Sequence, residues 1–309
     1  MNPARILFFG TPDFACPSLA ALYEAGHEIC AVITQPDKPK NRGMQLTPPP
    51  VKELALSHGT PVYQPTTLKD GEAANIIRGL APALIIVVAY GKILPREILD
   101  IPPYGCINVH PSLLPKYQGA TPIQSAILNG DSVTGVTIMQ MDEALDTGDM
   151  LSQEETEILP DETSGELFGR LSTLGARLLV NTIPAIQDGT VTRTPQDKAR
   201  ATYARPLHRE MSPVDWTRSA QEIVNQIRGL NPWPMATTVI ADRNFKIHSA
   251  HVGATVPGRP PSPPGTILST ASAGLEIACG DGSVIITRLQ PPGKKSMSAA
   301  DYLRGNPIL

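Results

Sequence analysis

Apolar positions fall into two patterns along the chain. In the first part they form short, dense runs separated by helical stretches. Leu84–Ala89 reads L-I-I-V-V-A, the continuous run of a strand covered on both faces. Further strands are predicted at Arg5–Gly10, Glu28–Ile33, Cys106–Val109, Val136–Met141 and Met150–Ile158. Between them the spacing predicts helices at Pro12–Ala25, Val51–His58, Asp70–Arg78, Ile93–Leu99, Ala120–Leu128 and Ser164–Gln187. Gly26, Gly59, Gly130 and Gly189 stand just past four of these ends, where a left-handed residue closes a helix. Strand, helix, strand at this spacing is a βαβ unit and implies a parallel, Rossmann-like sheet in an α/β fold. The turn Gly10-Thr11-Pro12 lacks G-x-G-x-x-G, so no dinucleotide is inferred.

The second pattern begins late. Thr190–His208 shows no hydrophobic periodicity and reads as a linker. A helix is expected at Ser219–Leu230, then the stiff turn N-P-W-P at 231–234. Short strands with turn signals follow at Thr237–Ala241, Phe245–His251, Gly265–Leu268, Leu275–Cys279 and Val284–Leu289, the pattern of a small OB-like β-barrel. The expected organisation is therefore a first domain over 1–189, a basic linker over 190–208 and an OB-like domain over 209–309.

With 309 residues the chain can bury two cores, and 41% hydrophobic content excludes a disordered protein. The net charge of −3 hides an asymmetry: residues 1–189 carry 12 Lys and Arg against 21 Asp and Glu, whereas 190–309 carry 14 against 8. A basic back half points to a polyanion held mainly there. The polar stretch Gln35–Pro50 reads as a long loop bearing Lys38, Lys40 and Arg42, side chains suited to phosphates. No run approaches a membrane span, and the four cysteines have neither metal-site nor disulfide spacing. They fit a reducing cytosol, so a cytoplasmic protein with no membrane partner is expected.

The candidate chemistry lies in Cys106–Gly130. Alternation in the strand puts Asn108 and His110 on one face, with Val109 toward the core, and Pro111 stops the ladder. Two polar side chains thus project from a strand's carboxyl end, where open α/β sheets bind ligands. A buried histidine is more often a satisfied core residue than a catalyst; the neighbouring asparagine tilts the balance. Acids cluster at Asp142, Glu143, Asp146 and Asp149 without the spacing of a calcium loop. Either they form a solvated turn or one turns inward to His110; Asp146, ahead of Thr147-Gly148, is the candidate.

N-V-H-P-S-L-L-P-K-Y-Q-G-A-T-P-I-Q at 108–124 resembles the signature of the 10-formyltetrahydrofolate-dependent formyltransferases, and L-D-T-G-D before Met150 resembles the family's second motif. Q-P-D-K-P-x-x-R-G at 35–43, N-P-W-P at 231–234 and P-G-K-K-x-M-S-A-A-D-Y-L at 292–303 extend the likeness nearly end to end. The resemblance implies a Rossmann-like catalytic domain followed by an OB-like domain. It also implies transfer of the formyl group of 10-formyltetrahydrofolate to the α-amine of methionyl initiator tRNA; a monomer is expected. Asn108, His110 and Asp146 match the catalytic trio, Ser112, Leu113, Leu114 and Pro115 the folate segment, and Lys38, Lys40 and Arg42 the loop that meets the tRNA acceptor stem. Met44 and Gln45 depart from that loop's usual lysines.

In this reading Asn108 and His110 donate to the oxyanion, and Asp146 orients His110 or takes the ammonium proton through water. No metal is required, and no Cys, Ser or Lys has an evident activating base for covalent catalysis. Two other readings stand beside it. One is formyl transfer to a small amine such as an amino-sugar nucleotide, against which the basic back half argues. The other is a folate- or RNA-binding protein without activity, against which the Asn-His-Asp set argues.

Overall fold

The computed structural model describes residues 3–40, 45–254, 262–271 and 273–306. Two compact units emerge, and both are discontinuous in sequence. One gathers Met1–Gly119, Gly135–Thr156 and Phe168–Tyr203; the other gathers Ala120–Thr134, Glu157–Leu167 and Ala204–Leu309. Packing therefore groups residues differently from boundaries drawn along the chain.

The first unit is built on a seven-stranded sheet. Its spatial order is Met150–Glu157, Val133–Gln140, Cys106–His110, Leu84–Val88, Arg5–Gly10, Glu28–Ile33, Val62–Tyr63. Neighbours are parallel from Cys106–His110 to Val62–Tyr63, while Val133–Gln140 runs antiparallel to Cys106–His110. The chain leaves Arg5–Gly10 toward one edge and returns to its other side at Leu84–Val88, so the order reverses beside that first strand. All of Leu84–Val88 is buried, as the unbroken apolar run requires. One face of the sheet packs Leu7, Phe9, Ile33, Ile85 and Val87 against Ala74, Ile77 and Ile98. The long helix Ser164–Gln187 comes close to Val109 and Val136: a Cβ on Gly175 would sit 2.8 Å from Val109 Cγ1. Glycine there lets helix and strand approach, on the side that Asn108 and His110 do not occupy.

In the second unit an antiparallel sheet runs in the order Ala236–Ile240, Arg243–Val252, Gly282–Gln290, Gly274–Cys279, Ile267–Ala271, with Met297–Ser298 paired to Gly282–Gln290. Phe245, Ile247, Leu275, Ile277, Val284 and Ile286 form its core with Ile223 and Ile227 of the helix Ala220–Gly229. That helix starts with a full capping box: the Ser219 side chain and Glu222 satisfy each other's backbone N–H groups.

Several expected elements shift, each for a local reason. Gln35–Pro50 contains a short hairpin, Lys38–Lys40 against Gln45–Thr47, instead of being loop throughout. Three-residue strands carry too little alternation to read from sequence. The hairpin's foot is fixed by Asp37, whose carboxylate takes Lys52 at 2.8 Å and Gln64 Nε2 at 2.8 Å. Pro12–Ala25 opens as a 3-10 turn at Asp13–Ala15 and becomes α-helical only over Cys16–Glu24. Ile93–Leu99 shrinks to Arg96–Leu99 because the residue before Pro95 is biased against helix. Asp70–Arg78 is displaced to Glu72–Leu80, starting after Gly71 at φ 78°. The stretch after Gly189 is aperiodic but not free: Thr194 bridges Met150, and Thr202 hydrogen-bonds to Pro115 and Tyr117. Among the described residues no helix is long and apolar enough to cross a membrane.

Candidate active site

The strand Cys106–His110 pairs Asn108 with Val87 on one side and Met139 on the other, and His110 with Thr137. Central pairing fixes both polar side chains at the carboxyl end of a rigid element. Asn108 keeps some exposure, whereas His110 is buried. Beyond Pro111 the chain folds back over its own strand end. The Ser112 hydroxyl donates to Lys116 O at 2.6 Å, and Thr137 Oγ1 donates to Ser112 O at 2.7 Å. Leu114 N donates to Thr137 Oγ1 at 3.1 Å, and Gln153 Nε2 donates to Leu114 O at 2.9 Å.

This fold-back delivers two backbone groups to the site. Tyr117, at φ 61°, turns its carbonyl to 2.9 Å from His110 Nε2. A carbonyl only accepts, so Nε2 carries a proton toward Tyr117, and Nδ1 is the ring nitrogen left on the Asp146 side. Gly119, at φ 111°, a conformation open mainly to glycine, directs its N–H to Asp146 Oδ2 at 2.9 Å.

Asp146 arrives from the acidic turn 142–149. Two of the other acids of that turn are used elsewhere. Asp142 accepts from Thr147 Oγ1 and Ala144 N, and Glu143 faces Arg96 at 3.4 Å. Asp146 adopts φ 57°, and its side chain is 11% exposed. Its Oδ1 accepts a long bond from Asn108 Nδ2, 3.4 Å, and lies 3.7 Å from His110 Nδ1. The latter distance exceeds a direct hydrogen bond. Gly148 lets the turn return to the sheet, because a Cβ there would run into the Gln140 carbonyl.

The three side chains predicted from sequence are thus brought together, but His110 has a different hand free. Its Nε2 donor is taken by Tyr117 and is not available as the second oxyanion donor, and Nδ1 is the nitrogen left beside Asp146. Of the folate candidates, Ser112 and Leu114 are buried and satisfied within the fold-back; Leu113 and Pro115 keep accessible surface. Lys38 is exposed on the hairpin, the side chain of Lys40 is not described, and Arg42 lies outside the described residues. Sequence reasoning missed the Tyr117 carbonyl, the Gly119 N–H and Gln196, whose Nε2 donates to Asp146 O and Gly148 O at 2.8 Å each. Backbone groups leave no compositional trace, and Gln196 sits in an aperiodic stretch. Among the described residues no three His, Cys, Asp or Glu side chains are grouped to hold a metal ion.

Two family models match this chain: formyl transferase over residues 4–183, and formyl transferase, C-terminal domain, over 206–307. The chain belongs to the formyl transferase family. It is a formyltransferase, a one-carbon transferase. It is 50% identical over 306 residues to the methionyl-tRNA formyltransferase of Moorella thermoacetica, covering 99% of this chain and 97% of that one. With the methionyl-tRNA formyltransferase of Trichlorobacter lovleyi it shares 48% identity, covering 100% and 96%. An N-formyltransferase from Helicobacter canadensis, solved with folinic acid and dTDP-3-aminofucose, superposes with TM-score 0.67 at 20% identity, covering 93% of this chain and 99% of that one. HypX from Aquifex aeolicus, solved with tetrahydrofolic acid, superposes with TM-score 0.65 at 17% identity, covering 98% and 47%. At those identities the solved structures speak to the fold.

Proposed function

We propose that this formyltransferase moves the formyl group of 10-formyltetrahydrofolate to the α-amine of methionyl initiator tRNA, with Asn108, His110 and Asp146 as its catalytic residues. The observation that carries the reading is the pair of acceptors, His110 Nδ1 and Asp146 Oδ1, 3.7 Å apart beside the Asn108 amide. The α-amine of an aminoacyl ester titrates near or below the ~8 of a free α-amino group, so much of it is already neutral at pH 7. It can attack the formyl carbon unaided. The attack forms a C–N bond, places negative charge on the formyl oxygen and leaves an ammonium.

Asn108 has a second amide hydrogen beyond the one turned to Asp146, and that hydrogen suits the oxyanion. The two acceptors suit the ammonium. His110 Nδ1 takes its proton, and the Asp146 carboxylate stabilises the imidazolium that results. The proton then passes to the folate nitrogen as its bond to the formyl carbon breaks, so no charge is left behind. Leu113 and Pro115 line the donor's approach, while Lys38, Lys40 and Arg42 meet the acceptor stem. We place the catalytic domain at 1–189, the linker at 190–208 and the tRNA-binding domain at 209–309, in a cytoplasmic monomer.

The deciding assay is formyl transfer from 10-formyltetrahydrofolate to charged initiator tRNA, with uncharged and charged elongator tRNA as controls. Transfer confined to charged initiator tRNA is expected. Preferential formylation of an amino-sugar nucleotide would replace this substrate assignment, and no transfer to any amine would end it.

A further inference from the structure

We infer that Gln196 is a positioning residue for formyl transfer, acting through the backbone of the turn that carries Asp146. The inference rests on the catalytic role proposed for Asp146. Gln196 is half-buried in an otherwise exposed run over 192–200. Its Nε2 donates to the carbonyl oxygens of Asp146 and Gly148, both at 2.8 Å, and its Oε1 accepts from Gln118 Nε2 at 2.8 Å. Both neighbours of Nε2 are carbonyls, which fixes the orientation of the amide. Both of its hydrogens are therefore spent on one turn.

That turn needs holding. Asp146 adopts φ 57°, a left-handed conformation disfavoured for a residue with a side chain. The third bond reaches the other half of the carboxylate's grip. Gln118 directly precedes Gly119, whose N–H holds Asp146 Oδ2. Gln196 thus ties the turn that presents the carboxylate to the segment that receives it. The Gln118 backbone is fixed in turn by its N–H to Thr202 O at 2.8 Å. Loosening Gln196 frees both sides of the contact while leaving the carboxylate, the imidazole and the Asn108 amide chemically intact.

The test is steady-state formyl transfer by wild type, Gln196→Ala, Asp146→Ala and the double variant, with thermal unfolding of each. Gln196→Ala is expected to lower kcat by about 10- to 100-fold through misplacement alone, with KM for both substrates within about twofold. In the Asp146→Ala background the same substitution should change kcat by less than about twofold, because the group it positions is gone. The inference is overturned if the full loss recurs in that background, if it falls on KM, or if no loss is seen. A near-normal Asp146→Ala enzyme would instead remove the catalytic reading, and the inference with it. Should Gln196→Ala not fold, Gln196→Glu keeps the size and the acceptor toward Gln118 but removes both donated hydrogens, and the same outcomes apply.

Discussion

The two largest sheets among the described residues bury their side chains in opposite ways. Leu84–Val88 is buried at every position, and Ile6–Gly10 likewise. Arg243–Val252 buries Phe245, Ile247 and Ala250 and leaves Lys246 exposed. Strands covered on both faces leave no polar face, so along them polar groups emerge only where the strands end, whereas the edge strand Met150–Glu157 of the same sheet leaves Gln153, Glu155 and Glu157 exposed. The chemistry proposed above sits at one such end, the tip of Cys106–His110. A sheet covered on one face keeps a broad second face for charge. Lys246 and Arg288 lie exposed there, opposite Gln290 and Ser249 in adjacent strands. Small, exact transfer chemistry suits the first arrangement, and a large polyanion suits the second.

The sharpest way to break this contrast is at the strand tip. Asn108→Ala and His110→Ala should each lower kcat by about 100-fold or more, the usual loss on removing a preorganised donor or proton acceptor, while the protein still folds. Rates within about threefold of wild type for either variant would mean that the rigid tip does not run the reaction.

How much of this was legible in the sequence follows the same divide. Unbroken apolar runs identify doubly buried strands, so the first sheet's main strands could be read directly. Strict alternation then put Asn108 and His110 on one face. Asp146 was recoverable as the one acid ahead of a Thr-Gly turn. The tautomer of His110 was not recoverable, since the Tyr117 carbonyl sets it and a backbone group has no sequence signature. Gln196 was invisible for another reason: its partners lie about 50 and 48 residues away, in a turn whose path no local pattern encodes. The Lys38–Thr47 hairpin escaped because three-residue strands fall below the length at which alternation is measurable.

A smaller effect probes the support behind the tip. Gly175→Ala places a methyl 2.8 Å from Val109 Cγ1. Overpacking costs roughly 1–3 kcal/mol, and alanine returns about 1 kcal/mol of helix propensity, so a net destabilisation of about 1 kcal/mol is expected by urea denaturation. A stabilised variant would show that helix and strand are not in close contact there.

An effect of similar size belongs to the open face. Lys246→Glu combined with Arg288→Glu should raise the KM for tRNA by about tenfold at physiological salt and flatten its salt dependence, with kcat nearly unchanged. A loss confined to kcat would contradict the division of labour between the two sheets.

The central claim is that the Asp146 carboxylate, set beside His110 Nδ1, carries formyl transfer by its charge. Single-turnover transfer by Asp146→Asn tests it most directly, because the side chain keeps its shape and an acceptor for the Gly119 N–H. A fall of about 100-fold or more in the transfer rate, with tRNA affinity unchanged, is the predicted result. A rate within about twofold of wild type would contradict it.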